Sequence, residues 1–365
     1  MSTADHSIML NPSWFLYGPG SAKIQDRPVP NIENEHDVVV RIKYIGVCGS
    51  DVHFWRHGGI GLKVSSDQPL VVGHEASGIV DSVGSAVTYV KVGDEVAIEP
   101  GFPCRRCRFC KDGKYNLCSG MKFAAAPPDV HGCLTKYFLA PEDFVYKVPA
   151  EVSLQEAVVV EPTAVAVHAA RLAEIKYGQT VMIMGSGTIG LLCAAVAKAF
   201  GARRVVLVDI LQKKLDFAKT FVDCETFLSA SAATSEENAA RVLETLQLPE
   251  GVDAVIEASG AEKSVQTGIF ALKMGGSYVQ TGIGNAFMYV PMLALSEKEL
   301  KVRGCFRYGS GDYDTALSMI SQGQVRPALL LSSVTPFDEA ISAWEKTGKG
   351  EGIKNLIEGV PEPEA

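Results

Sequence analysis

Short apolar runs, closed off by glycine, proline and turn residues, dominate the first part of the chain. Val38-Val39-Val40-Arg41-Ile42 alternates loosely, and Gly78-Ile79-Val80-Asp81-Ser82-Val83-Gly84 and Asp94-Glu95-Val96-Ala97-Ile98 are apolar stretches bounded by glycine or turn residues. Runs of this length and punctuation predict strands, so the chain up to about Val160 reads as an irregular, mostly β region. The texture changes after Pro162. Thr180-Val181-Met182-Ile183-Met184 predicts a buried strand, a glycine turn follows, and residues 189–200 form an apolar helical stretch stopped by Gly201. Val205-Val206-Leu207-Val208, Val252-Asp253-Ala254-Val255-Ile256 and Tyr278-Val279-Gln280-Thr281 continue the series. Strands that alternate with helical segments predict a parallel α/β sheet. From about Gly304 the pattern is irregular again, and no internal repeat or low-complexity linker interrupts it.

Composition narrows the function classes. The 365 residues, 47% hydrophobic and 21% charged, are enough for two cores. A net charge of -8 provides no basic field for nucleic acid or an anionic membrane. No apolar run approaches the ~20 residues that span a bilayer. Residues 1–12 lack the charged-then-apolar pattern of a signal peptide, and Pro363-Glu364-Ala365 carries no lipidation motif. A cytoplasmic protein is expected; in that reducing compartment the nine cysteines are not expected to form disulfides, and the four that cluster point to metal first.

Gly185-Ser186-Gly187-Thr188-Ile189-Gly190 is a G-x-G-x-x-G turn with a strand before it and a helix after it. That context is what dinucleotide binding requires. Gly185 permits the tight turn, Gly187 lets the backbone approach a pyrophosphate, and Gly190 lets helix and strand pack closely. The helix start at Thr188 and Ile189 offers free N–H groups to the phosphates. Asp209 ends the next strand, where a carboxylate accepts both ribose hydroxyls and repels a 2′-phosphate, so NAD is expected over NADP. Lys214 is either a further ribose contact or a solvated helix lysine.

Cys104, Cys107, Cys110 and Cys118 fall within fifteen residues. Four thiolates at such spacing close a tetrahedron round one zinc ion and leave no open position, so this site reads as structural. Cys48, His74 and Glu75 form a second possible set: a thiolate, an imidazole and a carboxylate leave one position for water or substrate. Cys48 alone also fits a buried core thiol and His74 alone a satisfied core histidine, and spacing does not prove that they meet.

These residues make the chain similar to the zinc-containing medium-chain dehydrogenase/reductase family over almost its whole length. The matching features are Gly73-His74-Glu75, the segment 78–84, Lys91-Val92-Gly93-Asp94-Glu95-Val96, the four-cysteine lobe and the turn 185–190. Cys48-Gly49-Ser50-Asp51-Val52-His53, Val160-Glu161-Pro162 and Phe306-Arg307-Tyr308 resemble its polyol branch, which includes sorbitol, L-arabinitol and xylitol dehydrogenases. Lys122-Phe123-Ala124-Ala125-Ala126-Pro127-Pro128 and Pro141-Glu142-Asp143-Phe144 look most like the fungal xylitol dehydrogenases, also called D-xylulose reductases.

The resemblance implies a GroES-like, mostly β catalytic domain from residues 1–162 and 304–365, with a Rossmann doubly wound domain, 163–303, inserted between them and the active site in the cleft. Cys48, His74 and Glu75 would hold a catalytic zinc, with Glu161 as a fourth ligand or as the hydrogen-bond partner of a zinc-bound water. Asp51 would orient His74, and Ser50 and His53 would carry the hydroxyl proton to solvent. Gly282, Ile283 and Phe306 would join the cofactor site. Phe54, Phe123, Arg307 and Tyr308 would line a polyol pocket. Two zinc ions per subunit, NAD and a homotetramer or homodimer follow from the same likeness. Phe54 departs from the tyrosine frequent in this branch, Thr163 from leucine, and Asp129-Val130-His131-Gly132 from the more typical turn. The expected reaction is oxidation of xylitol to D-xylulose, with L-arabinitol or sorbitol as the alternative substrate. A zinc-free quinone reductase and a non-catalytic dinucleotide-binding protein fit less well, because the ligand, relay and ribose residues are all present.

Overall fold

The computed structural model describes residues 10–59, 61–128 and 130–362. The expectations placed on Asp129, on residues 1–9 and on residues 363–365 concern positions outside these ranges. The chain divides into two compact units, one made of Met1–Glu161 with Pro327–Ala365, the other of Pro162–Arg326.

The first unit is built on a seven-stranded sheet. Its path runs from Val145–Lys147 through Glu95–Ile98, Glu75–Val83, Asp37–Gly46 and Lys354–Glu358 to Leu331–Thr335, and Tyr137–Pro141 also pairs with Asp37–Gly46. The central strand Asp37–Gly46 buries Val38, Val39 and Val40 in succession because it has neighbours along both edges and is covered on both faces. Its end pairs with the C-terminal strand, Ile45 opposite Ile357, which brings the last part of the chain into this core. Trp344 seals the join: its ring meets Trp14 edge-on at 6.0 Å and Trp55 at 5.5 Å.

The second unit holds a six-stranded, wholly parallel sheet in the order Glu225–Leu228, Arg204–Asp209, Thr180–Met184, Val252–Glu257, Leu272–Gln280, Lys301–Gly304. Numbered along the unit this order is 3-2-1-4-5-6, the doubly wound arrangement. Val181, Met182, Ile183 and Met184 are all buried, as expected of a strand with helices over both faces. The predicted strands and the helix Thr188–Ala199 stand where their apolar runs put them. The return to the first unit comes at Pro327 and not at 304. The intervening helix Asp312–Ser321 stays with the second unit because the buried Asp312 carboxylate accepts from Gly309 N at 2.7 Å and pairs with His168 Nδ1 at 2.8 Å and with Arg171.

Candidate functional site: two thiolate centres and a dinucleotide crevice

Cys48 precedes the helix Gly49–His57 as its N-cap. Asp51, three residues on, accepts the Cys48 amide through Oδ2 at 2.9 Å and the Gly73 amide through Oδ1 at 3.3 Å. The same carboxylate thus ties the helix start to the turn that delivers His74, and its Oδ1 lies 3.9 Å from His74 Nδ1. Glu75 begins the next strand, Glu75–Val83, with its side chain inward. The ligand atoms of Cys48, His74 and Glu75 all lie within 4.8 Å of one another. Spacing alone left their meeting open; the fold makes it.

The charges here call for a cation. Burial pulls the His74 pKa down, yet the hydrogen bond and charge of Cys48, with Asp51 and Glu161, outweigh it and hold His74 well above its ordinary value. Burial raises Asp51, against the pull of His74. Glu161, 5% exposed, is felt electrostatically at both His74 and Lys354. A thiolate, an imidazole and a carboxylate gathered in an anionic pocket fit a three-ligand zinc with an open fourth position.

Lys354 is the residue that sequence reasoning missed. It is 3% exposed and places Nζ 2.5 Å from Glu75 Oε2 and 3.3 Å from the Val47 carbonyl. Burial lowers its pKa, but Glu75 and Cys48 more than reverse that. The available signal was a lone lysine before Asn355 and the apolar Leu356-Ile357, on a strand that must be buried.

Around this centre, Phe123 lies with its ring 5.9 Å from that of His74. Ser50 and His53 lie on the helix that Cys48 caps, and the His53 ring meets His57 edge-on at 4.8 Å. Phe54, expected against substrate, is 8% exposed and belongs to the core that includes Trp14 and Trp344.

The cysteine lobe is a second centre. Sulfurs held by one zinc at ~2.3 Å stand about 3.8 Å apart; here Cys104 Sγ is 3.9 Å from Cys110 Sγ, and Cys107 Sγ is 3.5 Å from Cys110 Sγ. All four ligand atoms lie within 4.8 Å of one another. Arg105, at φ 63°, turns the backbone so that amides face sulfur, Cys107 N at 3.3 Å from Cys104 Sγ. The Arg106 and Cys107 amides and the Cys118 thiol lower Cys104 to about 6, while burial and the neighbouring thiols raise Cys110 to about 12. Four sulfurs gathered this closely fit a structural zinc. Beside this lobe, Arg105 pairs with Asp143 at 2.5 Å.

In the second unit the glycine turn is built as its spacing implies. Gly185 adopts φ 97°, and a Cβ on Gly190 would stand 1.8 Å from the Gly185 carbonyl oxygen. Gly187 caps the helix Thr188–Ala199 with no side-chain bond, so the helix start stays open to a phosphate. Asp209 Oδ2 accepts the Ser186 amide at 2.8 Å and Oδ1 the Leu211 amide at 3.0 Å. A carboxylate has about four acceptor positions, so capacity is left for ribose hydroxyls, and the cradle fits NAD. Lys214 lies in the helix Gln212–Phe221 that follows. Gly282 sits where any Cβ would meet Gly260 N at 2.4 Å, and Ile283 is 66% exposed. Arg307, at φ 56°, lays its guanidinium 4.6 Å from the half-exposed Phe306 ring. Tyr308 is buried, edge-on to Tyr313 at 5.8 Å.

Known proteins resemble this chain over most of its length. Residues 34–150 match the family described as alcohol dehydrogenase GroES-like domain, and residues 188–322 match zinc-binding dehydrogenase. D-xylulose reductase A of Aspergillus niger is 52% identical over 360 residues, 99% of each chain. D-xylulose reductase A of Aspergillus oryzae is 50% identical over 350 residues, 96% of this chain and 97% of that one. Among solved structures, L-idonate 5-dehydrogenase from Escherichia coli superposes with a TM-score of 0.86 at 28% identity, covering 96% of this chain and 98% of that one.

Proposed function

The chain belongs to the zinc-binding dehydrogenases that carry an alcohol dehydrogenase GroES-like domain, and on that premise we propose that it interconverts xylitol and D-xylulose with NAD. The observation that carries this reading is the gathering of Cys48, His74 and Glu75 in a chain so closely related, end to end, to D-xylulose reductases.

A zinc held by these ligands would supply Lewis acidity toward an alcohol oxygen, and NAD bound in the second unit would supply the hydride acceptor. The chain's own side chains do the rest. Cys48, His74 and Glu75 hold the metal, Asp51 fixes the two segments that carry them, and Lys354 offsets one of their negative charges. Glu161 stands beside the centre to accept a hydrogen bond from the substrate side. Ser50 Oγ takes the substrate hydroxyl proton and passes it to an imidazole nitrogen of His53. Burial, then the neighbouring His57, lowers the His53 pKa, so the imidazole is neutral and able to accept that proton. Phe123 covers the apolar side of the sugar chain. In the second unit Asp209 reads the adenosine ribose, and Gly282, Ile283 and Phe306 complete the cofactor site.

We further propose a homo-oligomer in the cytoplasm. In support, the strand Lys301–Gly304 ends its sheet with a neighbour on one edge only among the described residues, and Phe287, Tyr289, Met292 and Leu293 of the same unit are exposed. Among the described residues no helix is long and apolar enough to cross a membrane.

Steady-state kinetics on xylitol, L-arabinitol, sorbitol and ethanol test the substrate. Xylitol is expected to give the highest kcat/KM, above ethanol by ~10⁴ because a site that pairs several hydroxyls leaves polar groups unpaired without them. A higher value for sorbitol or L-arabinitol would replace xylitol as the substrate.

A further inference from the structure

Glu257 ends the strand Val252–Glu257 and is fully buried. A buried carboxylate destabilises a fold unless its oxygens are bonded, and these are. Oε1 accepts from the Ser259 and Gly260 amides at 2.9 and 3.1 Å and from the Ser259 hydroxyl. Oε2 accepts from the Gly260 amide at 2.9 Å and from Gln280 Nε2 at 2.8 Å. Gln280 Nε2 also donates to the Gly282 carbonyl at 2.8 Å. The Glu257 carbonyl in turn accepts the Thr281 and Gly282 amides, both at 2.8 Å. One residue therefore ties residues 258–260, which leave its own strand, to residues 281–284, which leave the next.

These two loops stand at the cofactor crevice. Glu257 is in register with Met184 on one side and Gln280 on the other, so both loops lie beside the glycine turn that follows Met184. A Cβ on Gly185 would stand 3.0 Å from Ser259 Cβ, and one on Gly282 would stand 2.7 Å from Glu257 Oε2. The strands Thr180–Met184 and Val252–Glu257 are neighbours at the reversal of strand order, where a doubly wound sheet opens for its dinucleotide.

With these bonds spent inside the protein, the Glu257 carboxylate is a brace and not a ligand. The geometry points to Glu257 as a positioning residue for the nicotinamide half of NAD, acting through residues 258–260 and 281–284. A doubly wound sheet binds one nucleotide on each half. Asp209 marks the adenosine half, and Glu257 belongs to the other. The assignment rests on the NAD reading given above.

Glu257→Gln keeps the side-chain volume but turns one acceptor oxygen into an amide donor that faces donors. Binding of NADH and of ADP-ribose, measured by calorimetric titration of the purified full chain, separates the two halves. The variant is expected to raise the NADH Kd roughly ten-fold, in line with a buried hydrogen bond made repulsive, and to leave the ADP-ribose Kd within about two-fold. Gln280→Met removes the side-chain bonds to Glu257 and to the Gly282 carbonyl while the Glu257 bonds to residues 259 and 260 remain, and it carries the same expectation, so the test stands even if Glu257→Gln fails to fold. Equal weakening of both ligands, or of neither, overturns the positioning role. Wild-type protein that binds neither NADH nor ADP-ribose overturns the NAD reading beneath it, a result visible before any variant is made.

Discussion

At the scale of single residues, Asp209 and His57 carry separate consequences. Asp209 holds the Ser186 amide and keeps acceptor capacity for a ribose. Asp209→Ala with Ile210→Arg removes that carboxylate and puts a cation on a position that is 65% exposed. The ratio of kcat/KM for NAD over NADP is expected to fall by about 10² or more, since a charge-assisted contact replaces a repulsion. Equal use of both cofactors by the wild type would remove Asp209 from this role. His57 acts through His53, whose pKa is lowered by burial and then by the His57 charge. Xylitol oxidation needs His53 neutral, so kcat/KM falls on the acid side as His53 protonates. His57→Gln removes the like charge while burial persists, so the His53 pKa rises and the acid limb moves to higher pH. A pH profile with an unmoved limb would take His53 out of the proton path.

At the scale of elements, the cysteine lobe and the capped helix divide the metal chemistry between them. Cys104 belongs to a closed four-sulfur set, and Cys48 to a three-donor set with room for a fourth ligand. Cys104→Ser is expected to lower Tm on the order of 5 °C and to leave kcat in the folded fraction close to wild type. Cys48→Ser is expected to abolish turnover with little change in Tm. Matching losses of activity at matching stability would contradict the division. Elements with a local signal were legible in the sequence. Thr180–Met184 is a continuous apolar run, and the turn after it carries glycines for which the backbone has a steric need. Glu257 gave no such signal, because the bonds that define it are made to loop amides that no periodicity reports. Phe54 and Tyr308, expected at a pocket, are both buried; a likeness of motif carries a position but not the direction of a side chain.

At the scale of the whole molecule, one unit is contiguous and the other is not. Lys354 meets Glu75 across 279 residues, and Trp14 Nε1 donates to the Phe337 carbonyl at 2.6 Å across 323. Contacts this distant leave no mark in local pattern, which is why Cys48, His74 and Glu75 could be named from motif while the lysine beside them could not. The second boundary was obscured for a similar reason: the segment from Gly304 to Arg326 looks irregular in sequence, but Asp312 and its partners keep it with the inserted unit.

The discontinuous first unit also sets a timetable for biosynthesis. Ribosomes deliver ~5–20 residues per second, and domains fold as units once they have emerged. The cysteine lobe is closed by residues 104–118 and the inserted unit ends at Arg326, so both can mature on a nascent chain. The strand Lys354–Glu358 emerges later, and with it the charge that balances Cys48 and Glu75. A nascent chain arrested with residue 326 just outside the exit tunnel is therefore expected to take up one zinc, and the released chain two, as counted by metal analysis of the isolated complexes. Two ions on the arrested chain would show that the C-terminal strand is dispensable for loading. On that expectation catalytic competence is the last property acquired, and a truncated or stalled product would hold one ion at the cysteine lobe and leave the cell's polyol pool untouched.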